Sequence, residues 1–70
     1  MDRKPVGSSN ISSIGYDLDL NVLEVEFNSG AIYQYSGVPQ SVYHSLMGAS
    51  SHGKYFAAHI KDRYPYKRIK

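Results

Sequence analysis

Three segments in the first half of the chain alternate apolar and polar residues, which is the pattern of half-buried β-strands. The clearest covers residues 22–27, where Leu23, Val25 and Phe27 share one face and two glutamates occupy the other. A first strand begins at Ile11, and a third covers residues 31–36. Aspartate and asparagine in residues 17–21, and Gly30 further on, supply the turns between them. The pattern predicts a three-stranded antiparallel meander.

A helical spacing of apolar residues follows the third strand. Pro39 fits a first helical position, so we expect a helix that runs to about Met47 and ends at Gly48. Ser50 or Ser51 then caps a second helix, which continues to Pro65 and repeats apolar residues at intervals of four: Phe56, Ile60 and Tyr64. Strands followed by helices predict an α+β fold of order β-β-β-α-α, with both helices on one face of the sheet. The tail after Pro65 is either an edge strand or an extended binding segment.

The first ten residues carry Pro5, Gly7 and two serines and show no hydrophobic period. We expect a flexible leader over residues 1–10 and a single domain over residues 11–70. No signal peptide or membrane span is apparent, and the chain contains no cysteine, which excludes disulfides and sulfur-ligated zinc. These features predict a cytoplasmic protein without a membrane partner.

Charge is distributed unevenly along the chain. Residues 1–50 hold two basic and five acidic residues, whereas residues 51–70 hold six basic residues and one acidic residue. A local excess of positive charge favours a polyanionic partner such as a nucleic acid. The alternative is a solvated helix face followed by a frayed basic tail.

Several short motifs occur in a fixed order along this chain. They are I-G-Y-D (14–17), L-E-V-E-F (23–27), G-A-I-Y-Q-Y (30–35), V-P (38–39) and L-M-G-A-S-S-H-G-K-Y-F (46–56). In this order they resemble the KTSC domain, a short module named for its position at the C-terminus of some lysyl-tRNA synthetases. The same family includes small stand-alone bacterial and phage-type proteins. The resemblance implies an RNA-related setting but assigns no binding residue.

The Y-x-Y pair, Tyr33 and Tyr35, projects from one face of the third strand. With Tyr16 it could form a platform on which bases stack. In so small a domain, however, one sheet face must be buried, so a structural role in the core is favoured for this family motif.

The start of the second helix offers a candidate anion site. Ser51, Gly53 and Lys54 lie where unpaired N–H groups and the helix dipole attract a phosphate. A simple serine cap explains the same residues. The segment lacks the frame of a P-loop, so nucleotide hydrolysis is not supported.

The three histidines, His44, His52 and His59, lack the spacing of metal ligands, so we expect neither metal nor cofactor. The sequence predicts no catalytic residue. The leading hypothesis is a non-enzymatic module that binds RNA, either tRNA or a single strand, through residues of the basic C-terminal helix and tail: Lys54, Lys61, Arg63, Tyr66, Lys67 and Arg68. The alternative is a protein-interaction or self-association module that uses a sheet edge or an exposed tyrosine face. An RNA-cleaving enzyme that uses His52, Lys54 and a tyrosine ranks last.

Overall fold

The computed structural model describes residues 1–70. Its three alternating segments form the centre of one five-stranded antiparallel sheet. The order of strands in the sheet follows the order in the chain. The elements are β1 (Arg3–Pro5), β2 (Ile11–Asp17), β3 (Val22–Phe27), β4 (Ile32–Ser36), α1 (Gln40–Gly48), α2 (His52–His59) and β5 (Tyr66–Arg68). The α+β class and the two helices are confirmed, but the expected number of three strands is wrong. Neither helix is long and apolar enough to cross a membrane.

The two additional strands form the edges of the sheet, where strands need no alternating pattern because solvent reaches them. Strand β1 lies within the segment predicted to be an irregular leader, and it pairs with β2 from Arg3 to Pro5. Pro5 is tolerated there because an edge strand can lack one donor. Strand β5 pairs with β4, and the Ile69 N–H donates to the Ile32 carbonyl oxygen at 2.8 Å. The tail is therefore an edge strand, one of its two predicted forms.

The core lies between the helices and one face of the sheet. Residues that pair directly across antiparallel strands share a face, and Ile14, Val25 and Tyr33 form one such row. Leu46 of α1 and Phe56 of α2 pack in the same core cluster. Each fully buried aliphatic side chain in this layer contributes about 1.5–3 kcal/mol to stability.

The helix α2 is shorter than its apolar spacing suggested. It begins after Ser51, whose side chain accepts a hydrogen bond from the Lys54 N–H at 3.3 Å. It ends at His59, because the N–H groups of residues 60 and 61 both donate to the Phe56 carbonyl oxygen and Asp62 adopts a φ of 63°. The prediction of a helix up to Pro65 is wrong. The cations at positions 61 and 63 therefore lie in a turn and not on a basic helix.

The face of the sheet without helices carries a polar network around Glu24, which is only 5% exposed. Its carboxylate forms an ion pair with Arg3 and accepts a hydrogen bond from Gln34 at 2.9 Å. Arg3 also donates to Ser13, whose hydroxyl donates to Glu26 at 2.8 Å. Burial alone would raise the pKa of Glu24, but the hydrogen bonds from Gln34 and Arg3, together with the Arg3 charge, hold this pKa below its usual value.

Gly15 allows β1 to approach the sheet. A Cβ atom at this position would lie 2.8 Å from the carbonyl oxygen of Asp2, closer than such contacts occur. The glycine of the I-G-Y-D motif therefore permits the N-terminal backbone to pass over β2 and bring Arg3 to Glu24.

We expect Arg3→Ala to lower the free energy of unfolding by about 1–3 kcal/mol at neutral pH, since it leaves the buried Glu24 carboxylate without its charged partner. The pKa of Glu24 is lowered in the folded state, so the stabilisation is present above the ordinary value of 4.5 and is lost as the pH falls. The difference between the variant and the parent should therefore shrink below about pH 4. Urea unfolding of the variant and the parent at neutral pH and below about pH 4 measures this difference.

Lys4→Ala is the matched control, because it removes the neighbouring cation, which points to the opposite face of β1. An equal loss in both variants, or an Arg3→Ala loss that persists in acid, would contradict a specific role for the ion pair.

Candidate functional site

A groove of about 850 Å³ lies between α2 and the part of the sheet formed by β3, β4 and β5. Its aromatic lining comes from five rings: Phe27, Tyr33, Tyr35, Phe56 and Tyr66. Polar side chains from the segment before β2 and from the β3–β4 turn add to the lining, and Lys61 and Arg68 supply positive charge. Asp62 is the one acidic residue among the lining side chains. The groove is thus an aromatic surface with two cations and one carboxylate beside it.

The aromatic rings form a packed row that runs from the core to the solvent. Tyr35 is 5% exposed and meets Phe56 edge to face at a centroid distance of 5.4 Å. Tyr66 lies 5.6 Å from both Tyr33 and Tyr35 and is 59% exposed. Aromatic neighbours at these distances stabilise one another, so the row is a rigid surface. Its outermost ring, Tyr66, remains accessible to a ligand.

Strand pairing determines which side chains of β5 reach this surface. Tyr66 pairs with Tyr35 and Arg68 pairs with Tyr33, so all four side chains share the helix-bearing face. Lys67 pairs with Gln34 and lies on the opposite face, beside the Glu24 network. Two adjacent cations of the tail are therefore separated by the thickness of the sheet.

The groove brings together only part of the predicted nucleic-acid and anion sites. Gly53, Lys61, Tyr66 and Arg68 line it. Lys54 and Arg63 are exposed but lie outside the lining, and Lys67 is on the other face. The predicted single basic surface is thus divided into a groove-lining group and residues outside it.

The two groove cations have no carboxylate partner. The pair formed by Arg3 and Glu24 is the one salt bridge of the chain, so neither Lys61 nor Arg68 forms an ion pair, although the Asp62 carboxylate lines the same groove. The Arg68 Nε–H donates to the Lys70 carbonyl oxygen at 3.0 Å, which orients the guanidinium group. Its other N–H groups remain available to an anionic ligand.

The start of α2 has structural contacts that account for the residues of the predicted anion site. The Ser51 hydroxyl caps the helix by accepting from the Lys54 N–H. Gly53 lies close to Asn10, since a Cβ atom at position 53 would be 3.4 Å from the Asn10 side-chain nitrogen. Phosphate binding by Ser51, Gly53 and Lys54 remains a prediction.

Each of the three histidines contacts a different residue, and none contacts another histidine. The His52 Nδ1 atom lies 2.8 Å from the Leu46 carbonyl oxygen, which can only accept, so Nδ1 carries the proton and donates. His44 contacts Gln40, and His59 packs on Tyr55 at 4.4 Å. No three histidine, aspartate or glutamate side chains lie together as a metal site would require. The His52 contact links α2 to the end of α1, because it gives the Leu46 carbonyl oxygen a second donor beside the Ala49 N–H.

Sequence reasoning missed one wall of the groove. Asn10 and Asn28 line it, and the Asn28 N–H donates to the Asn10 carbonyl oxygen at 2.8 Å. The Asn28 side chain also donates to the Ser9 carbonyl oxygen at 2.8 Å, which ties the N-terminal segment to the β3–β4 turn. Nothing in the polar sequence before residue 11 indicates this wall, since it depends on a contact between distant segments.

The Tyr35 hydroxyl lies in an unusual electrostatic setting. Burial, with added repulsion from the Tyr33 and Tyr66 phenols and the Asp62 carboxylate, raises the pKa of Tyr35 to about 12. The hydroxyl is therefore protonated at neutral pH and can both donate and accept a hydrogen bond.

Comparison with known proteins identifies the family. The family model described as the KTSC domain matches residues 7–64. The chain belongs to the KTSC domain family. The resemblance inferred from the sequence motifs is confirmed, and the match covers the groove-lining parts of β3, β4 and α2.

Similar proteins include stand-alone KTSC proteins of the same length. An uncharacterized protein from Stutzerimonas stutzeri is 44% identical over 70 residues, which cover 99% of both chains. The crystal structure of a KTSC domain protein from Yersinia pestis superposes with a TM-score of 0.96 at 42% identity, covering 99% of this chain and 97% of that chain. The five-stranded KTSC fold described above therefore agrees with a solved structure of a relative.

A lysine–tRNA ligase from Nostoc punctiforme is also similar. It is 36% identical over 66 residues, which are 94% of this chain but only 12% of the ligase. A KTSC domain thus occurs within a much larger tRNA-charging enzyme as well as alone.

We expect the free energy of unfolding to fall as the pH rises above about 10, with Tyr35 contributing up to about 2 kcal/mol of the loss. The pKa of Tyr35 is raised from 10.0 to about 12 in the folded state, so the stabilisation is fully present below 10.0 and disappears as the pH approaches 12. Tyr35→Phe should remove this component. Denaturant unfolding at about pH 8 and about pH 11 measures it.

Tyr64→Phe, which removes a hydroxyl outside the groove, is the matched control. A pH dependence identical in Tyr35→Phe and the parent would contradict the assignment to Tyr35.

Proposed function

We propose that this KTSC domain is a non-enzymatic RNA-binding module whose contact surface is the aromatic groove. The observation that carries the proposal is the position of Lys61 and Arg68, both without carboxylate partners, beside the exposed ring of Tyr66. Aromatic rings on a rigid sheet with cations nearby are the usual components of single-stranded RNA recognition.

Two kinds of contact contribute to the free energy of RNA binding. Stacking of one base on an exposed tyrosine contributes about 1–3 kcal/mol and tolerates any base. Contacts of Lys61 and Arg68 with phosphates add affinity that falls as salt rises, because bound counterions are released. Lys54 and Arg63, exposed outside the groove, add long-range attraction rather than contacts.

Relatives add support of a different kind. A domain similar to this one forms 12% of a lysine–tRNA ligase, an enzyme that handles tRNA. That association favours RNA over other polyanions, whereas the groove supplies the surface that would bind it. On this basis we favour unpaired RNA as the partner and assign no catalytic residue.

Fluorescence anisotropy with a labelled single-stranded RNA of about ten nucleotides tests the proposal. We expect micromolar or tighter binding at about 50 mM salt, and an affinity about 3- to 10-fold lower for Arg68→Ala and for Lys61→Ala. Each variant should also reduce the slope of log affinity against log salt by about 0.7, the value for one phosphate contact on a single strand.

Lys67→Ala is the matched control, since it removes the same charge from the adjacent residue on the opposite face. We expect its affinity to change by less than about twofold. Absence of binding by the parent protein would refute the proposed function. Equal weakening by Lys67→Ala and Arg68→Ala would show that net charge, rather than the groove, attracts the RNA.

A protein-interaction function is the second candidate, and one observation favours it. Leu18 and Leu20 are 59% and 69% exposed in the turn between β2 and β3, at the end of these strands opposite the groove. Exposed apolar side chains mark a docking surface when they form a contiguous patch. Sedimentation of the parent and of a Leu18→Ser, Leu20→Ser double variant tests self-association: a salt-insensitive dimer that the double variant abolishes would favour this function.

A further inference from the structure

The Tyr35 ring is buried, but its hydroxyl has no hydrogen-bond partner within the chain. The residue is 5% exposed, and its hydroxyl makes no hydrogen bond to any other group of the protein. Every fully buried side-chain nitrogen and oxygen does have a partner, so this hydroxyl must reach solvent. Tyr35 lines the groove. Its phenol oxygen therefore opens into the groove at the base of the aromatic row.

A hydroxyl that reaches solvent can be hydrated, so the Tyr35 oxygen atom forms no hydrogen bond that holds the fold together. The contrast with Tyr16 is direct, because the Tyr16 hydroxyl donates to the Val38 carbonyl oxygen at 2.6 Å and so anchors the start of α1. Phenylalanine would meet the packing requirements at position 35. The phenol oxygen is therefore free to form a hydrogen bond with a ligand that enters the groove.

The surroundings of this hydroxyl define the ligand chemistry. Tyr66 lies over Tyr35 at a centroid distance of 5.6 Å and offers an exposed face for a flat ring. Arg68 and Lys61 lie along the same groove and suit phosphates. The groove volume of about 850 Å³ lies within the range of pockets that hold small organic groups. A flat ring with a hydrogen-bonding edge and an attached phosphate is a nucleotide.

We infer that the Tyr35 hydroxyl is the hydrogen-bonding anchor for an unpaired nucleobase whose ring stacks on Tyr66. The inference rests on the proposed function and specifies it. A base in a duplex has both faces covered by its neighbours and its pairing edge occupied, so only a single strand, a loop or an end can make these contacts. The phenol can donate to a base nitrogen or carbonyl oxygen and accept from an exocyclic amine. Tyr35 is therefore a specificity-determining residue, and Arg68 provides affinity without selectivity among bases.

Tyr35→Phe is the variant that tests the anchor, because it keeps the ring and removes one oxygen atom. Its affinity should be measured for single-stranded adenylate, cytidylate and uridylate oligomers of about eight nucleotides, for an abasic ribose-phosphate oligomer of the same length, and for a blunt duplex. We expect about 3- to 10-fold weaker binding of at least one base-containing oligomer and no change for the abasic oligomer. The duplex should bind more weakly than the single strands.

Tyr64→Phe serves as the control, since Tyr64 does not line the groove. Two-dimensional NMR spectra of both variants verify the fold, and the amide signals of Tyr66 and Arg68 should shift when the parent binds a base-containing oligomer. Unchanged unfolding free energy of Tyr35→Phe at about pH 8 supports a role in binding rather than in packing.

The outcomes separate the inference from the function on which it rests. If Arg68→Ala weakens RNA binding but Tyr35→Phe binds every oligomer like the parent, the anchor is refuted and RNA binding stands. Equal affinity of the parent for the abasic and base-containing oligomers also refutes the anchor alone. If the parent binds none of the oligomers, both proposals fail.

Discussion

The pairing of β4 with β5 is the contact on which the rest of this KTSC domain depends. The chain leaves the sheet after Ser36, forms both helices, and returns so that Tyr66 lies opposite Tyr35 and Arg68 lies opposite Tyr33. This return covers the β4 edge, while the helices pack on the sheet through Leu46 and Phe56. It also sets the register, and a slip of one residue would place Lys67 in the groove and remove Tyr66 from it.

The two faces of the sheet are stabilised in different ways. The helix-bearing face buries aliphatic and aromatic side chains, as a chain of this size must do to remain folded. The other face is held by a polar network in which Arg3, brought close by Gly15, neutralises the buried Glu24. Since this face is occupied by its own hydrogen bonds, the groove on the helix side is the better candidate for ligand binding. Its aromatic row extends the core outward without a break.

Local sequence patterns predicted the elements in which apolar and polar residues alternate or in which turn-forming residues occur. Residues 22–27 alternate cleanly and form β3 over that range, and the Asp17 carboxylate accepts from two turn N–H groups as its position suggested. Edge strands and helix ends were harder to predict from the sequence. The polar β1 carries no alternation because solvent reaches it, and α2 ends at His59 through a turn in which Asp62 has a positive φ. Apolar spacing continued past that end because Ile60 and Tyr64 pack on the core from outside the helix.

The sequence by itself determined the α+β class, the central strands, the family motifs and the concentration of positive charge after residue 50. These depend on local periodicity, turn chemistry and composition, which act between near neighbours. Only the tertiary structure decided which cations lie together, because adjacent residues of a strand point to opposite faces. Arg68 therefore joins Tyr33 and Lys61 in the groove, while Lys67 joins Gln34. The exposure of Tyr66 and the partnerless hydroxyl of Tyr35 likewise follow from contacts between segments far apart in the chain.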